Sequence, residues 1–135
     1  MKKAFITGIT GFAGSFLAER LLQEEYEVSG TYLTDESLRN LSQIHTKVKL
    51  HKVDLQEATL VRKIIAEEAP DFIFHLAALT APGQSFDNPS EFITNNISVQ
   101  VNVLEAVRAA NAEPKILIVS SAEVYGNVGP SDLPI

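Results

Sequence analysis

Glycines at 8, 11 and 14 stand in the stretch TGITGFAG, Thr7 to Gly14, directly after the short apolar run Ala4 to Thr7. Glycines at that spacing suit phosphate capture by backbone amides. Gly8 lets the chain turn sharply off a strand, Gly11 lets backbone approach a pyrophosphate, and Gly14 lets a following helix pack close to a sheet. The helix start adds free amides and the positive end of its dipole. Metal chemistry has little to work with. The histidines at 45, 51 and 75 lie on separate segments without ligand spacing, and the absence of cysteine excludes thiolate metal sites and a disulfide framework.

A loop of this kind needs a buried strand before it and a helix after it. Ala4 to Thr7 supplies the strand. Phe12, Phe16, Leu17, Leu21 and Leu22 fall on one helical stripe, which predicts an amphipathic helix fading near Glu24 and packed through those residues. Further strands are predicted at Glu27 to Tyr32, Val48 to Val53, Asp71 to Leu76 and Lys115 to Ser120. A short polar helix near Glu36 to Gln43, a helix near Gln56 to Glu68 and a long helix from about Pro89 to Ala110 lie between them. Pro70 and Pro114 stand at helix ends, and the tail NVGPSDLPI begins a loop. Strands alternating with helices imply a Rossmann-type α/β fold, a doubly wound parallel sheet in three layers. Such sheets bind ligands beyond the carboxyl ends of their strands, which here means Thr7 to Gly14, Tyr32 to Asp35, Asp54 to Leu55, Leu76 to Thr80 and Ser120 to Gly126.

The 135 residues, 45% of them hydrophobic, suffice for one domain, residues 1–135. A net charge of −6 argues against a nucleic-acid partner, which would call for clustered Lys and Arg. The apolar stretch near the N-terminus is broken by Thr and Gly, unlike a signal peptide, and no apolar run approaches the roughly 18 residues of a membrane span. A cysteine-free chain fits a reducing cytoplasm.

Five motifs follow one another in order: TGITGFAG, VDL at Val53 to Leu55, HLAA at His75 to Ala78, the pair Asn95 and Asn96, and SSAEVYG at Ser120 to Gly126. Together they resemble the extended short-chain dehydrogenase/reductases, the epimerase/dehydratase group that acts on nucleotide sugars. Within that group the stretches AALTAPGQSFDNPSEF and SSAEVYG look closest to GDP-mannose 4,6-dehydratases and the related 4-keto-6-deoxy-hexose reductases. The resemblance implies an NAD or NADP cofactor, a nucleotide-sugar substrate, hydride transfer at C4 of the hexose, and a homodimer at full length.

The resemblance places cofactor contacts at Gly8, Thr10, Gly11, Phe12, Ala13 and Gly14 in the loop, at Tyr32, at Asp54 and Leu55, at Leu76, Ala77, Ala78 and Thr80, at Asn96 and at Val119. Asp54 would accept a hydrogen bond from the adenine amino group; an Asp there also suits capping of the helix near Gln56. Asn96 would support the active site, whereas the neighbouring polar residues Asn95, Ser98, Gln100 and Asn102 equally suit a solvated face. Ser121 would hydrogen-bond the sugar's reacting oxygen, and Glu123 would remove the C5 proton in a dehydratase. The departure from the usual fingerprint lies at the second strand's end, Thr31 to Thr34, where no carboxylate stands, with Asp35 beyond and Arg39 the nearest arginine. NAD and NADP both remain open there, with the missing carboxylate favouring NADP.

The family's catalytic YxxxK pair is expected beyond Ile135, and its substrate part mostly C-terminal. The 135 residues alone are therefore expected to be inactive, a truncated lyase or oxidoreductase. A non-catalytic NAD(P)-sensing module is the competing reading. Ile97, Val101, Leu104 and Val107 cannot all face the sheet, so the long helix is expected to expose apolar surface and favour self-association.

Overall fold

The structure, a computed structural model, describes residues 1–80 and 82–135, the side chains of Pro82, Ala122 and Glu123 excepted. Five strands, β1 (Lys3–Thr7), β2 (Glu27–Tyr32), β3 (Lys49–Lys52), β4 (Phe72–His75) and β5 (Lys115–Ile118), form one parallel sheet in the order β3-β2-β1-β4-β5. The order reverses between β1 and β4, which is where such folds open a ligand crevice. Helices α1 (Phe12–Gln23), α2 (Ala58–Glu68), α3 (Pro82–Asp87) and α4 (Pro89–Ala109) connect them, with 3-10 turns at Asp35–Leu41, Ala122–Tyr125 and Pro130–Asp132.

Alternation along β1 divides the core. Ala4 and Ile6 face α1 and the Asp35–Leu41 turn, packing with Val28, Ala18, Leu21, Leu41 and Ile44. Phe5 faces the opposite way, onto Ile73 and the α2–α4 layer of Val61, Ile65, Val99, Val103 and Val107. Both faces of the central strands β2, β1 and β4 are thus covered, and their apolar continuity follows from that, whereas the edge strand β5 leaves Leu117 and Ile118 exposed.

Helix α1 packs only in part as its sequence pattern suggests: Leu21 is buried and Leu17 and Leu22 rest partly buried against the same core, but the two phenylalanines do not join them. The buried residues are Gly14, Ser15, Ala18 and Leu21, while Phe12 and Phe16 are 81% and 61% exposed and rest on each other, ring centroids 5.1 Å apart. The cause is how near the helix lies to the sheet. A Cβ on Gly14 would fall on the Gly8 carbonyl and 2.9 Å from Ile9 Cα, and one on Gly30 would fall on the Ile6 carbonyl and 2.8 Å from Ile9 Cβ. An interface that tight excludes aromatic rings, so the small residues turn inward and the phenylalanines outward.

Helix ends behave as the prolines indicate. Ala69 closes α2 in the left-handed region, φ 44°, just before Pro70, and Asn111 does the same after α4, φ 48°. Helix α2 begins at Ala58, later than expected, because Asp54 Oδ1 accepts the Gln56 N–H at 2.9 Å and holds that stretch in a turn. The extra helix α3 is too short to show a period. On α4 the apolar residues do divide: Ile97, Val101 and Leu104 are exposed, and Val107 is buried. No helix among the described residues is long and apolar enough to cross a membrane.

Gly14→Ala should lower the unfolding free energy by about 2 kcal/mol or more, since backbone rather than a flexible side chain stands in the way. Gly83→Ala, where a Cβ meets nothing within 4 Å, should be neutral or stabilising by up to ~1 kcal/mol. Urea titrations of both variants check this, and equal midpoints would show that α1 can move off the sheet at little cost.

Candidate functional site

The glycine loop is built by hydrogen bonds to strands on both sides. Gly8 takes φ +70°, a left-handed turn that L side chains rarely adopt, and presses directly on Ala77 at the end of β4. Its N–H donates to Thr31 Oγ1 at 3.3 Å, and the Ile9 N–H donates to the Thr31 carbonyl at 3.0 Å, so the loop runs across the end of β2. Asn40 Nδ2 donates to the Thr10 carbonyl at 2.8 Å, tying the far turn to the same loop. Gly11 then begins α1 with no side-chain cap and no acidic residue in the first turn. The amides of Phe12, Ala13 and Gly14 have no intrahelical partner there, and the positive end of the helix dipole is left uncompensated.

This helix end faces a cleft of about 590 Å³ across the carboxyl ends of β1 to β4. Gly8, Thr10, Gly11, Phe12, Ala13 and Gly14 form one wall, Tyr32 lies at the end of β2, Asp54 and Leu55 at the end of β3, and Leu76, Ala77, Ala78 and Thr80 beyond β4. Thr34 and Ser37 add hydroxyl-bearing residues beside Tyr32, and Asn95 and Val99 contribute from α4; of these four, Asn95 belongs to the asparagine pair and Thr34 to the second strand's end, while Ser37 and Val99 carry no mark in the sequence. Asp35 stays outside the lining, its carboxylate paired with Lys52 Nζ at 2.6 Å.

Other expected residues fall beside the cleft. Asn96 grips the loop after β4 instead of lining the space: its Oδ1 accepts the Leu79 N–H at 2.8 Å and its Nδ2 donates to the Leu79 carbonyl at 3.1 Å. Val119 is 58% exposed and donates its N–H to the His75 carbonyl at 3.3 Å. Ser121 is exposed, its carbonyl accepting the Val124 N–H at 3.2 Å. The side chain of Glu123 lies outside the described residues.

The amides of α4 are not all a solvated face. Asn102 Nδ2 donates to the carbonyls of Leu55 and Gln56, at 2.9 and 3.2 Å, and Asn95 Oδ1 accepts from Gln56 Nε2 at 2.9 Å. One helix therefore holds the loops after β3 and β4 together. His75 is buried against Thr7, Nδ1 lying 2.8 Å from Thr7 Oγ1, and burial holds its imidazole below the usual range. No group of three His, Asp or Glu side chains among the described residues is placed to hold a metal ion.

Sheet order, left-handed glycine turn and open helix end define a Rossmann-type domain with an open crevice at the carboxyl ends of its strands. Residues 5–134 match the family model described as GDP-mannose 4,6 dehydratase, and the chain belongs to that family, a branch of the extended short-chain dehydrogenase/reductases. It is 33% identical over 134 residues to a UDP-glucose 4-epimerase of Neisseria meningitidis serogroup C, covering 96% of this chain and 39% of that protein. To a GDP-mannose 4,6-dehydratase of Yersinia enterocolitica it is 34% identical over 139 residues, covering 95% and 37%. A crystal structure of UDP-glucose 4-epimerase from Bifidobacterium longum, in complex with NAD+ and UDP, superposes with a TM-score of 0.86 at 32% identity, covering 99% of this chain and 41% of that one. The chain thus spans about two fifths of the length of the curated relatives it matches.

Asn96→Ala should leave both backbone groups of Leu79 without their partner and cost about 1–2 kcal/mol. Asn96→Asp should be at least as damaging at neutral pH, because a carboxylate would face the Leu79 carbonyl. Chemical unfolding measures both, and an undisturbed Asn96→Asp would mean that the loop does not depend on the amide.

Proposed function

We propose that this chain supplies the dinucleotide-binding part of an NAD(P)-dependent enzyme that acts on a nucleotide-linked hexose by hydride transfer at C4. The carrying observation is the cradle at Gly11. A Cβ there would meet only the Gly8 carbonyl, at 3.2 Å, among its own chain's atoms, so the residue is kept small beside space that the fold leaves open. A pyrophosphate fits that space and the uncapped helix end above it.

In this reading the loop from Gly8 to Gly14 holds the pyrophosphate by its amides, Asp54 receives the adenine amino group, and Tyr32 borders the adenosine ribose. Leu76, Ala77, Ala78 and Thr80 give the flat cofactor a surface of backbone and mostly small or apolar side chains. Asn96 acts one step back by fixing Leu79. A nicotinamide dinucleotide bound there supplies hydride acceptance and donation. Ser121 orients the sugar by donating its hydroxyl hydrogen to the oxygen on C4, and Glu123 takes the C5 proton, which a ketone at C4 makes acidic. Glu123 gives this reading its dehydratase form, supported by the family match; a 4-keto reductase would use the same cleft without that proton transfer. Hydroxyl-bearing Thr34 and Ser37 in place of a lining carboxylate favour NADP at the ribose end. A dimer at full length and a cytoplasmic setting complete the proposal.

Gly11→Val should weaken NAD(H) or NADP(H) binding at least about tenfold, ~1.4 kcal/mol, while leaving circular dichroism and unfolding nearly unchanged. Isothermal titration calorimetry reads the affinity. A folded variant that binds as the native chain does would remove the proposal's central support.

A further inference from the structure

Thr7 Oγ1 lies within hydrogen-bonding distance of three groups: the N–H of Leu76 at 3.1 Å, the N–H of Ala77 at 3.1 Å and His75 Nδ1 at 2.8 Å. A hydroxyl has one hydrogen to donate and two lone pairs with which to accept. Backbone amides can only donate, so these two occupy both lone pairs. The hydroxyl hydrogen is left for His75 Nδ1, which must then be an unprotonated acceptor. That count fixes the ring as the neutral tautomer with its hydrogen on Nε2. Thr7 is 0% exposed and His75 6%, so solvent cannot readily take the place of a missing partner.

We propose that His75, as the neutral Nε2–H tautomer, is a positioning residue for the dinucleotide site: through Thr7 it fixes the Leu76–Ala77 backbone at the floor of the cleft, and protonation at Nδ1 releases that backbone. The functional half of this inference rests on the dinucleotide reading above. An imidazolium carries hydrogen on both nitrogens, so its Nδ1–H would point at an oxygen whose lone pairs are already taken. Thr7 must then give up an amide or turn away. Either change reaches the ligand space, because Leu76 and Ala77 line it and Gly8 packs directly on Ala77.

Burial is the one cause that shifts the His75 ring. The ionisable residues on the packed elements are Lys3 on β1, Lys115 on β5, Arg62, Lys63, Glu67 and Glu68 on α2, and Glu91, Glu105 and Arg108 on α4. His75 is governed by burial alone, which disfavours the charged ring. With the folded value depressed below the ordinary 6.5, the clamp is fully formed above that pH and is lost as pH falls through the folded value.

Nitrogen NMR of the labelled 135-residue chain, paired with calorimetry from about pH 8 down to the lowest pH at which the chain stays folded, tests the proposal, and a ring that never titrates over that range would overturn its acid-release half. At the upper pH the His75 ring should show the Nε2–H pattern, and on acidification the Leu76 and Ala77 amides should shift with the ring's own midpoint. NADP(H) or NAD(H) affinity should fall at least about tenfold across that midpoint. His75→Asn, whose side-chain oxygen can accept the Thr7 hydrogen and does not titrate, should hold its upper-pH affinity within about threefold and lack the acid fall. An Nδ1–H ring, amides that ignore its titration, or a parallel fall in His75→Asn would overturn the proposal. If the native chain binds no dinucleotide at any pH, the functional reading fails, while the ring and amide titrations still decide whether the clamp exists.

Discussion

The near contact of α1 with the turn off β1 constrains the rest of the structure. Where Gly14 passes the Gly8 carbonyl and Gly30 passes Ile9, there is no room for a side-chain carbon. Ile9, fully buried, fills the space between the loop and β2, and its N–H extends the sheet's bonding to Thr31. The helix can then start beside the strand end, which is what points its free amides into the cleft. The outward turn of Phe12 and Phe16 is the same constraint seen from the other side.

Around that fixed point the cleft is assembled from loops that have left the sheet and lost its backbone partners. Polar side chains from other elements take the partners' place. Asn40 reaches Thr10, Asn96 pairs with both backbone groups of Leu79, Asn102 reaches Leu55 and Gln56, and Thr7 holds Leu76 and Ala77. Where they are buried or half-buried, as at Thr7 and Asn96, these groups satisfy backbone that would otherwise carry an uncompensated desolvation penalty.

Three strands were legible as short, dense apolar runs, Ala4 to Thr7, Asp71 to Leu76 and Lys115 to Ser120, and the glycine spacing marked the loop. The α1 stripe held for Leu17, Leu21 and Leu22 and misled at Phe12 and Phe16, because periodicity reports that residues share a face, not which side chains the packing distance admits. Gly30 gave no signal within EVSGTY, since its neighbour Ile9 belongs to another segment. Asn102 was equally opaque: its carbonyl partners lie 46 and 47 residues away, and nothing local separates such an amide from a solvated one. Thirteen lining residues were named as cofactor contacts from motifs and strand ends, whereas Ser37 and Val99 join them only by convergence in space.

The cross-ties between loops also bear on how a ligand meets this protein. Loops that are free before binding must surrender conformational freedom on contact, and that loss is subtracted from affinity. Here the ordering occurs during folding, as Asn40, Asn96 and Asn102 find their carbonyls. A ligand therefore encounters a shape more than it induces one. Discrimination in such a cleft works by exclusion: a molecule of the wrong outline meets walls that yield only by breaking hydrogen bonds far from the point of contact.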